Sequence, residues 1–388
     1  MSPPALNIEP KLLERVNRAI ADVRAGRMVI LVDDEDRENE GDLTMAAQFA
    51  TPESINFMAT HGRGLICLTL TEEHIQRLAL PMMAAPGRSG PTLGTAFTMS
   101  IEARHGVTTG ISAADRAHTI RVAANPECKS EELVTPGHVF PLRARRGGVL
   151  VRTGQTEGSV DLARLAGLVP AGVICEIMRE DGSMARMPDL EVFAKRHDLR
   201  ILSVADLIQY RLQTESLVRR VAQGTLKLDE TQSDWDATVY ESSTDGRQFV
   251  ALSKGDFAAT GNAPVLCRMH SGSTIGDVFS STQSEGGKNL REAIRLIEAA
   301  GRGVIVYLPP RTTPAMELIP FITNSKAARE PVTPADSPLR EFGLGAQVLA
   351  NLGLHKIRLL TNNPRKIAGI SGFGLEVVES VPLGGAKS

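Results

Sequence analysis

Apolar residues recur at helical spacing over residues 9–25. Leu12, Leu13, Val16, Ile20 and Val23 share one face, and Gly26 follows as a stop. That spacing predicts an amphipathic helix. The short apolar run 28–32 predicts a strand, and a wholly polar stretch follows it. Further on, "GLICLTL" (64–70) reads as a strand and "TEEHIQRLAL" as a helix capped by Thr71. "TAFTMSIEA" (95–103) alternates as a strand does. "SAADRAHTIRVAA" (112–124) reads as a helix capped by Ser112, with Asp115 three residues on. "GGVLVR" and "AGVICEIM" predict strands, 157–167 and 189–197 predict helices, and "SVADLIQYRL" closes the first half. Between Gln213 and Trp235 the pattern turns polar, which places a domain boundary there and gives domains 1–213 and 214–388. The second half mixes strands ("QFVALSKGD", "RGVIVYL", "KIRLLT") with helices ("KNLREAIRLIEAAG", "LGAQVLANLG"), and the segment from Pro309 to Pro338 reads as irregular. The predicted fold class is a mixture of α/β and α+β.

Composition narrows this picture by exclusion. A chain of 388 residues favours two cores over one. A net charge of −2 gives no footing for a nucleic-acid or membrane-surface partner. No apolar run approaches the roughly 20 residues that cross a bilayer. The N-terminus lacks the basic-then-apolar order of a signal peptide. Cys67, Cys128, Cys175 and Cys267 stand far apart without a CxxC pair, which argues against disulfides and a cysteine zinc site and predicts a reducing cytoplasm.

Four polar stretches carry candidate chemistry. "VDDEDRENEGD", Val32 to Asp42, sets seven carboxylates and Arg37 at the end of an apolar strand. Clustered oxygen ligands suit a hard divalent cation such as Mg²⁺, and Arg37 suits an anionic substrate. Gly41 would admit a backbone conformation other residues resist. A solvated acidic turn gives the same pattern. "GVTTGISAADR", Gly106 to Arg116, runs a Thr/Gly loop into a capped helix, a start that suits a phosphate but that plain capping also explains. His138, in "TPGHVFPL", is placed for acid–base work near neutral pH, although a lone histidine also serves structure. Glu176, in "GVICEIM", falls within an apolar strand, where burial would raise its pKa; a strand-end glutamate facing solvent is the alternative.

Together "DDEDRENEGDL", "HGRGLICLTL", "GTAFTMSIEA", "GVTTGISAADRAHTI", "PGHVFPLRARRGGVLVR" and "LAGLVPAGVICEIMREDGSMAR" resemble 3,4-dihydroxy-2-butanone 4-phosphate synthase over about residues 10–212. The second half resembles GTP cyclohydrolase II through "RMHSGSTIGDVFSS", "REFGLGAQVL" and "KIRLLTNNPRKIAGISGFGLEVVESVPL". The first resemblance implies conversion of ribulose 5-phosphate to 3,4-dihydroxy-2-butanone 4-phosphate and formate, with Mg²⁺ (or Mn²⁺) and no organic cofactor. It implies a cytoplasmic homodimer. It places Glu38 on the metal, and Arg37 and Asp42 on the sugar phosphate. His138, Glu176 and Glu40 fall at acid–base positions. Thr108, Ser112, Arg152, Thr153, Gly154 and Thr156 fall at substrate positions, and Cys67 lies near the site without a firm role.

The chain departs from both patterns. Where the family's "RxGHT" carries a metal-binding histidine, this sequence reads Arg152-Thr-Gly-Gln-Thr156, so Gln155 takes the ligand's place. An amide oxygen can coordinate Mg²⁺ but cannot titrate near neutral pH. Two alternatives therefore stay open: a different product from the same sugar phosphate, or a non-catalytic sugar-phosphate-binding regulator. In the second half the three zinc-cysteine positions are Ser273, Ser284 and Gly286. "PPRTTPAMEL" stands where "RQEGRGIGL" is expected, and Pro338 replaces an aspartate two residues before Arg340. This implies no zinc and no GTP hydrolysis. Arg365 and Lys366 are left as a candidate phosphate site.

Overall fold

The computed structural model describes residues 10–34, 37–84, 95–257, 263–281, 284–310, 313–323, 338–362 and 375–384, with backbone alone at 320–323 and 338–342. The described chain divides into two compact units, Pro10–Tyr210 and one that begins at Arg211.

The first unit is built on a seven-stranded mixed sheet of order β4-β5-β3-β6-β2-β1-β7. The strands are β1 (Val29–Val32), β2 (Gly41–Ala46), β3 (Cys67–Leu70), β4 (Ile101–Ala103), β5 (Leu133–Arg143), β6 (Ala171–Glu176) and β7 (Arg200–Ser203). Between them lie α1 (Pro10–Arg24), α2 (Pro52–Phe57), α3 (Glu72–Arg77), α4 (Ala113–Ala124), α5 (Gln155–Leu165) and α6 (Met187–His197). Helix α7 (Val204–Thr214) spans the division. Helix α1 forms where the spacing predicts, with Leu12, Val16, Ile20 and Val23 buried. Thr71 and Ser112 cap α3 and α4.

Both faces of the central strands are covered, so the strands read as continuous apolar runs. Side-chain alternation assigns Ile30, Val32, Leu43, Met45, Leu68, Leu70, Val173 and Cys175 to one face, which forms the main core. The other face carries Leu31, Asp42, Cys67, Ile174 and Glu176, and receives α5. Two glycines make room for that helix. A β-carbon on Gly158 would lie 2.5 Å from Leu31 Cδ2, and one on Gly172 would lie 2.7 Å from Ser159 Cβ.

The second unit holds another seven-stranded sheet, β14-β13-β11-β12-β10-β9-β8. Its strands are β8 (Val218–Leu228), β9 (Ser233–Ser242), β10 (Gln248–Lys254), β11 (Val265–Ser271), β12 (Gly303–Leu308), β13 (Lys356–Leu360) and β14 (Glu376–Val381). Its helices are α8 (Gly286–Ala300), α9 (Pro314–Thr323) and α10 (Pro338–Asn351). Parallel β12, β11, β13 and β14 adjoin an antiparallel run β12-β10-β9-β8.

Several elements differ from their sequence pattern. "GGVLVR" is a 3₁₀ turn, Gly148–Leu150, because Gly147 and Gly148 take left-handed φ of 91° and 63° and Val149 N–H donates to Asp161. Of 95–103 only Ile101–Ala103 joins the sheet as a strand. The polar tract assigned to the boundary contains strand β8, whose central residues are solvent-exposed on both faces and so show no apolar alternation. The segment read as irregular contains α9.

Candidate active site

The acidic stretch is the connection of the β1–β2 hairpin. The strands pair antiparallel with Val32 opposite Gly41, and Asp33 N–H donates to the Glu40 carbonyl at 3.3 Å. Its organiser is Asp33, whose role the sequence did not signal. The fully buried Asp33 carboxylate accepts from Glu38 N–H (3.1 Å), Glu40 N–H (2.9 Å) and Arg37 Nη1 (2.6 Å). One carboxylate inside the loop thus fixes Arg37, Glu38 and Glu40. Arg186 Nη1 donates to the carbonyls of Glu38 and Asn39, and Asn39 adopts φ 55°. Gly41 does not occupy the left-handed region. Its use is close approach, since a β-carbon there would lie 2.5 Å from Leu190 of α6. Glu35 and Asp36 lie outside the described residues.

The hairpin delivers Asp42 directly opposite Glu176 on β6. Facing residues in an antiparallel pair hold their β-carbons about 5 Å apart. Asp42 is buried, with Oδ1 lacking a hydrogen-bond partner. Burial, reinforced by the charges of Glu176, Glu38 and Glu40, pushes its pKa well above the ordinary aspartate value. Burial raises Glu176 too, against the opposing pull of the Leu65 N–H that donates to Oε2 at 2.8 Å. Glu40 is raised by burial and by Glu38. Cys67 shares this face, and burial pushes its thiol well above the ordinary value, which disfavours the thiolate.

The N-terminus of α5 supplies the positive side. Its cap, Gly154, offers no side-chain oxygen to the first turn. A β-carbon on Gly154 would stand 2.6 Å from Arg152 Nη1 and 3.1 Å from Arg37 Nη2, so two guanidinium groups flank the start of the helix. Arg152 Nη1 is held at 2.7 Å by buried Glu157. The Thr153 hydroxyl is buried without a partner, and Thr156 is buried in the first turn. Gln155, also buried, accepts from Arg37 Nη1 at 3.1 Å through Oε1 and donates to the Glu40 carbonyl at 3.4 Å. Arg37 Nη1 lies 3.1 Å from Glu38 Oε2 as well. The two side chains that the resemblance assigns to a metal, Glu38 and Gln155, are thus joined through Arg37.

Among the described residues, no three His, Cys, Asp or Glu side chains converge in a ligand geometry. The donor set is instead a carboxylate, an amide oxygen and the orphaned Asp42 Oδ1 nearby, all hard oxygens. Such a set fits Mg²⁺, which keeps water and substrate oxygens in most of its positions.

His138 and the helix-start loop lie apart from this cluster of contacts. Cys67 pairs with Phe140 on β5 and with Ile174 on β6, so His138 and Glu176, each two residues further, reach the same end of the sheet. The His138 ring is half exposed and bonds Glu102 Oε2 at 2.5 Å. Glu102 was not singled out from the sequence, where it reads as a polar position of a strand. In the helix-start loop, Thr108 and Ser112 bond within the chain. Asp115 Oδ1 and Oδ2 take the Thr108 N–H, the Thr108 hydroxyl and the Gly110 N–H, and Ser112 caps the helix by accepting from Asp115 N–H. The loop's donors already serve the helix's own carboxylate.

In the second unit Ser273, Ser284 and Gly286 do come together. A β-carbon on Gly276 would overlap Ser284 Oγ and lie 3.2 Å from Ser273 Oγ. One on Gly286 would lie 3.0 Å from Asp277 Oδ1. Asp277 Oδ2 accepts from His270, the Ser273 N–H and the Tyr307 hydroxyl. Arg365 and Lys366 lie outside the described residues, as does the Arg340 side chain.

The chain matches the family model for 3,4-dihydroxy-2-butanone 4-phosphate synthase over residues 17–210 and that for GTP cyclohydrolase II over residues 219–382. It is 50% identical to the riboflavin biosynthesis protein RibBA of Aquifex aeolicus, over 95% of this chain and 92% of that protein. It is 47% identical to RibBA of Bacillus cereus (strain AH187), over 96% and 94%. Among solved structures it is similar to RibBX, described as a two domain 3,4-dihydroxy-2-butanone 4-phosphate synthase from A. baumannii. The TM-score is 0.77 at 41% identity, over 94% of this chain and 98% of that one.

Proposed function

The chain belongs to the bifunctional riboflavin biosynthesis protein family (RibBA), and from that premise we propose that its first unit converts ribulose 5-phosphate to 3,4-dihydroxy-2-butanone 4-phosphate and formate, as a lyase. The observation that carries the reading is the joining of two opposite features. Two guanidinium groups flank Gly154 at a helix start, and carboxyl groups of raised proton affinity sit at the adjoining strand ends.

Arg37 and Arg152, with the positive end of α5, bind and orient the phosphate. Asp42 and Glu176 face one another, and burial raises both pKa values, so each carboxyl keeps its proton to higher pH than an ordinary one. One carboxyl then donates while its neighbour accepts, which is what enolisation and loss of the first hydroxyl require. Glu40 lies close enough for its charge to act on Asp42. His138 is the acid–base group reserved for the later proton movements of the rearrangement. Thr153 and Thr156 line the helix start beside the phosphate. When bound, Mg²⁺, or Mn²⁺, supplies Lewis-acid polarisation of substrate oxygens. Glu38 and Gln155 would hold it, with Arg37 turning from Gln155 Oε1 to the phosphate.

GTP hydrolysis is assigned no part. Hydroxyls at Ser273 and Ser284 and no side chain at Gly286 leave zinc without thiolates, and Cys267, the remaining described cysteine of that unit, is buried. The polar knot of His270, Asp277 and Tyr307 supports a scaffold reading for that unit.

The test is formate release from ribulose 5-phosphate with Mg²⁺. Glu38→Gln should lower the rate on the order of a hundredfold or more. Equal rates for variant and wild type would overturn the assignment of Glu38.

A further inference from the structure

His138 stands on a bulge. Ile101 pairs with Val139 and Glu102 with Val134, so the intervening Thr135, Pro136, Gly137 and His138 have no partner on β4. A half-exposed ring on such a protrusion has nothing in its backbone pairing to hold it in one orientation. Among the described residues its one hydrogen bond is to Glu102 Oε2, 2.5 Å from Nδ1. Glu102 belongs to β4, and its side chain is 17% exposed against 44% for the histidine, so the carboxylate is the fixed member of the pair.

Two glycines let the pair form. Gly110 takes φ +86°, and a β-carbon there would overlap Glu102 Oε2 and lie 2.5 Å from His138 Nδ1. A β-carbon on Gly137 would overlap the Ile101 carbonyl and lie 2.5 Å from Glu102 N. The Gly137 N–H is tied to Ser100 Oγ at 3.1 Å. The backbone is therefore shaped to bring a carboxylate to Nδ1.

We propose that Glu102 is the positioning residue of His138: it holds the proton on Nδ1, orients the ring across the bulge and leaves Nε2 as the working nitrogen. An ionised carboxylate only accepts hydrogen bonds, so its partner nitrogen must carry the proton. A neutral imidazole then presents a lone pair at Nε2, the atom free to take a proton from a substrate group and to return it. Glu102 touches no reacting atom. The inference rests on the reading of His138 as an acid–base group in the sugar-phosphate reaction.

The experiment is ¹⁵N NMR of the full chain labelled at histidine, without substrate, in wild type, Glu102→Ala, Glu102→Gln and Gly110→Ala. The wild-type His138 ring should report protonated Nδ1 in its neutral form. Glu102→Ala should abolish that preference, and Gly110→Ala should do the same by crowding while both partners remain. Kinetically, Glu102→Ala should lower kcat on the order of a hundredfold, with KM for ribulose 5-phosphate within about twofold. Glu102→Gln, which keeps an acceptor oxygen, should fall between. Gly110→Ala keeps the test decisive if Glu102→Ala does not fold. An unchanged His138 tautomer in both variants would overturn the proposal, as would a loss seen in KM alone. The tautomer is read without turnover, so a tautomer that follows Glu102 upholds the pair even where wild type releases no formate; that second result would count against the activity reading alone.

Discussion

At the scale of single residues, the site places carboxyl groups where ionisation is costly. Asp42 is buried with an unpartnered oxygen, opposite Glu176. A carboxyl whose folded-state pKa lies above its unfolded value stabilises the fold below the unfolded pKa, and that contribution is lost as pH rises through the folded pKa. Asp42 and Glu176 are both raised, so wild type should lose stability upward from about pH 4, the ordinary aspartate range. Asp42→Asn removes the largest of these penalties. By thermal denaturation it should melt higher than wild type at neutral to basic pH, by on the order of 3 °C for about 1 kcal/mol. The two curves should meet in acid, with activity lost throughout; a lower melting temperature at high pH would contradict the burial argument. Gln155 makes a second case. Its amide oxygen accepts from Arg37, which also contacts Asp33 and Glu38. Gln155→His should tighten Mn²⁺ binding, read by electron paramagnetic resonance, on the order of tenfold, and raise the rate of formate release. Tighter binding without a faster reaction would mean that the native glutamine already serves the chemistry.

At the scale of elements, what the sequence revealed and what it hid have physical reasons. Helix α1 and the buried strands were legible because their apolar spacing is set by packing against one core. Arg37, Glu38 and Asp42 were legible as one charged stretch at a strand end, and Glu176 separately as a carboxylate within an apolar strand; only the sheet pairing sets Asp42 opposite Glu176. Asp33 and Glu102 were not, because each acts through one specific tertiary contact that leaves no period in the chain. Around Thr108 and Ser112 the sequence left two readings open. A helix start that suits an anion looks the same whether the anion is a ligand or, as here, the Asp115 carboxylate. Strand β8 was hidden because neither of its faces is packed along most of its length. The start of α5 invites a direct test. Gly154→Ala sets a methyl group against Arg152 and Arg37, at the far ends of flexible side chains that can move aside. It should raise KM for the sugar phosphate on the order of tenfold, with little change in melting temperature. An unchanged KM would remove the helix start from the phosphate site.

At the scale of the whole molecule, the proposal gives the two units different parts. The first keeps its carboxylates and arginines. The second keeps its sheet and brings Ser273, Ser284 and Gly286 together around Asp277, but offers zinc no thiolate. The purified full chain should therefore contain no stoichiometric zinc by elemental analysis and should leave GTP unconsumed on chromatography. One zinc per chain would contradict the assignment. The central claim, that Arg37, Glu38, Asp42, Glu176 and the α5 start carry out the family's carbon-losing reaction despite Gln155, is tested most directly by following uniformly ¹³C-labelled ribulose 5-phosphate with the protein and Mg²⁺ by carbon NMR. The account predicts labelled formate and a four-carbon phosphate in equal amounts. A five-carbon product retaining every label, or unchanged substrate at high enzyme concentration, would contradict it.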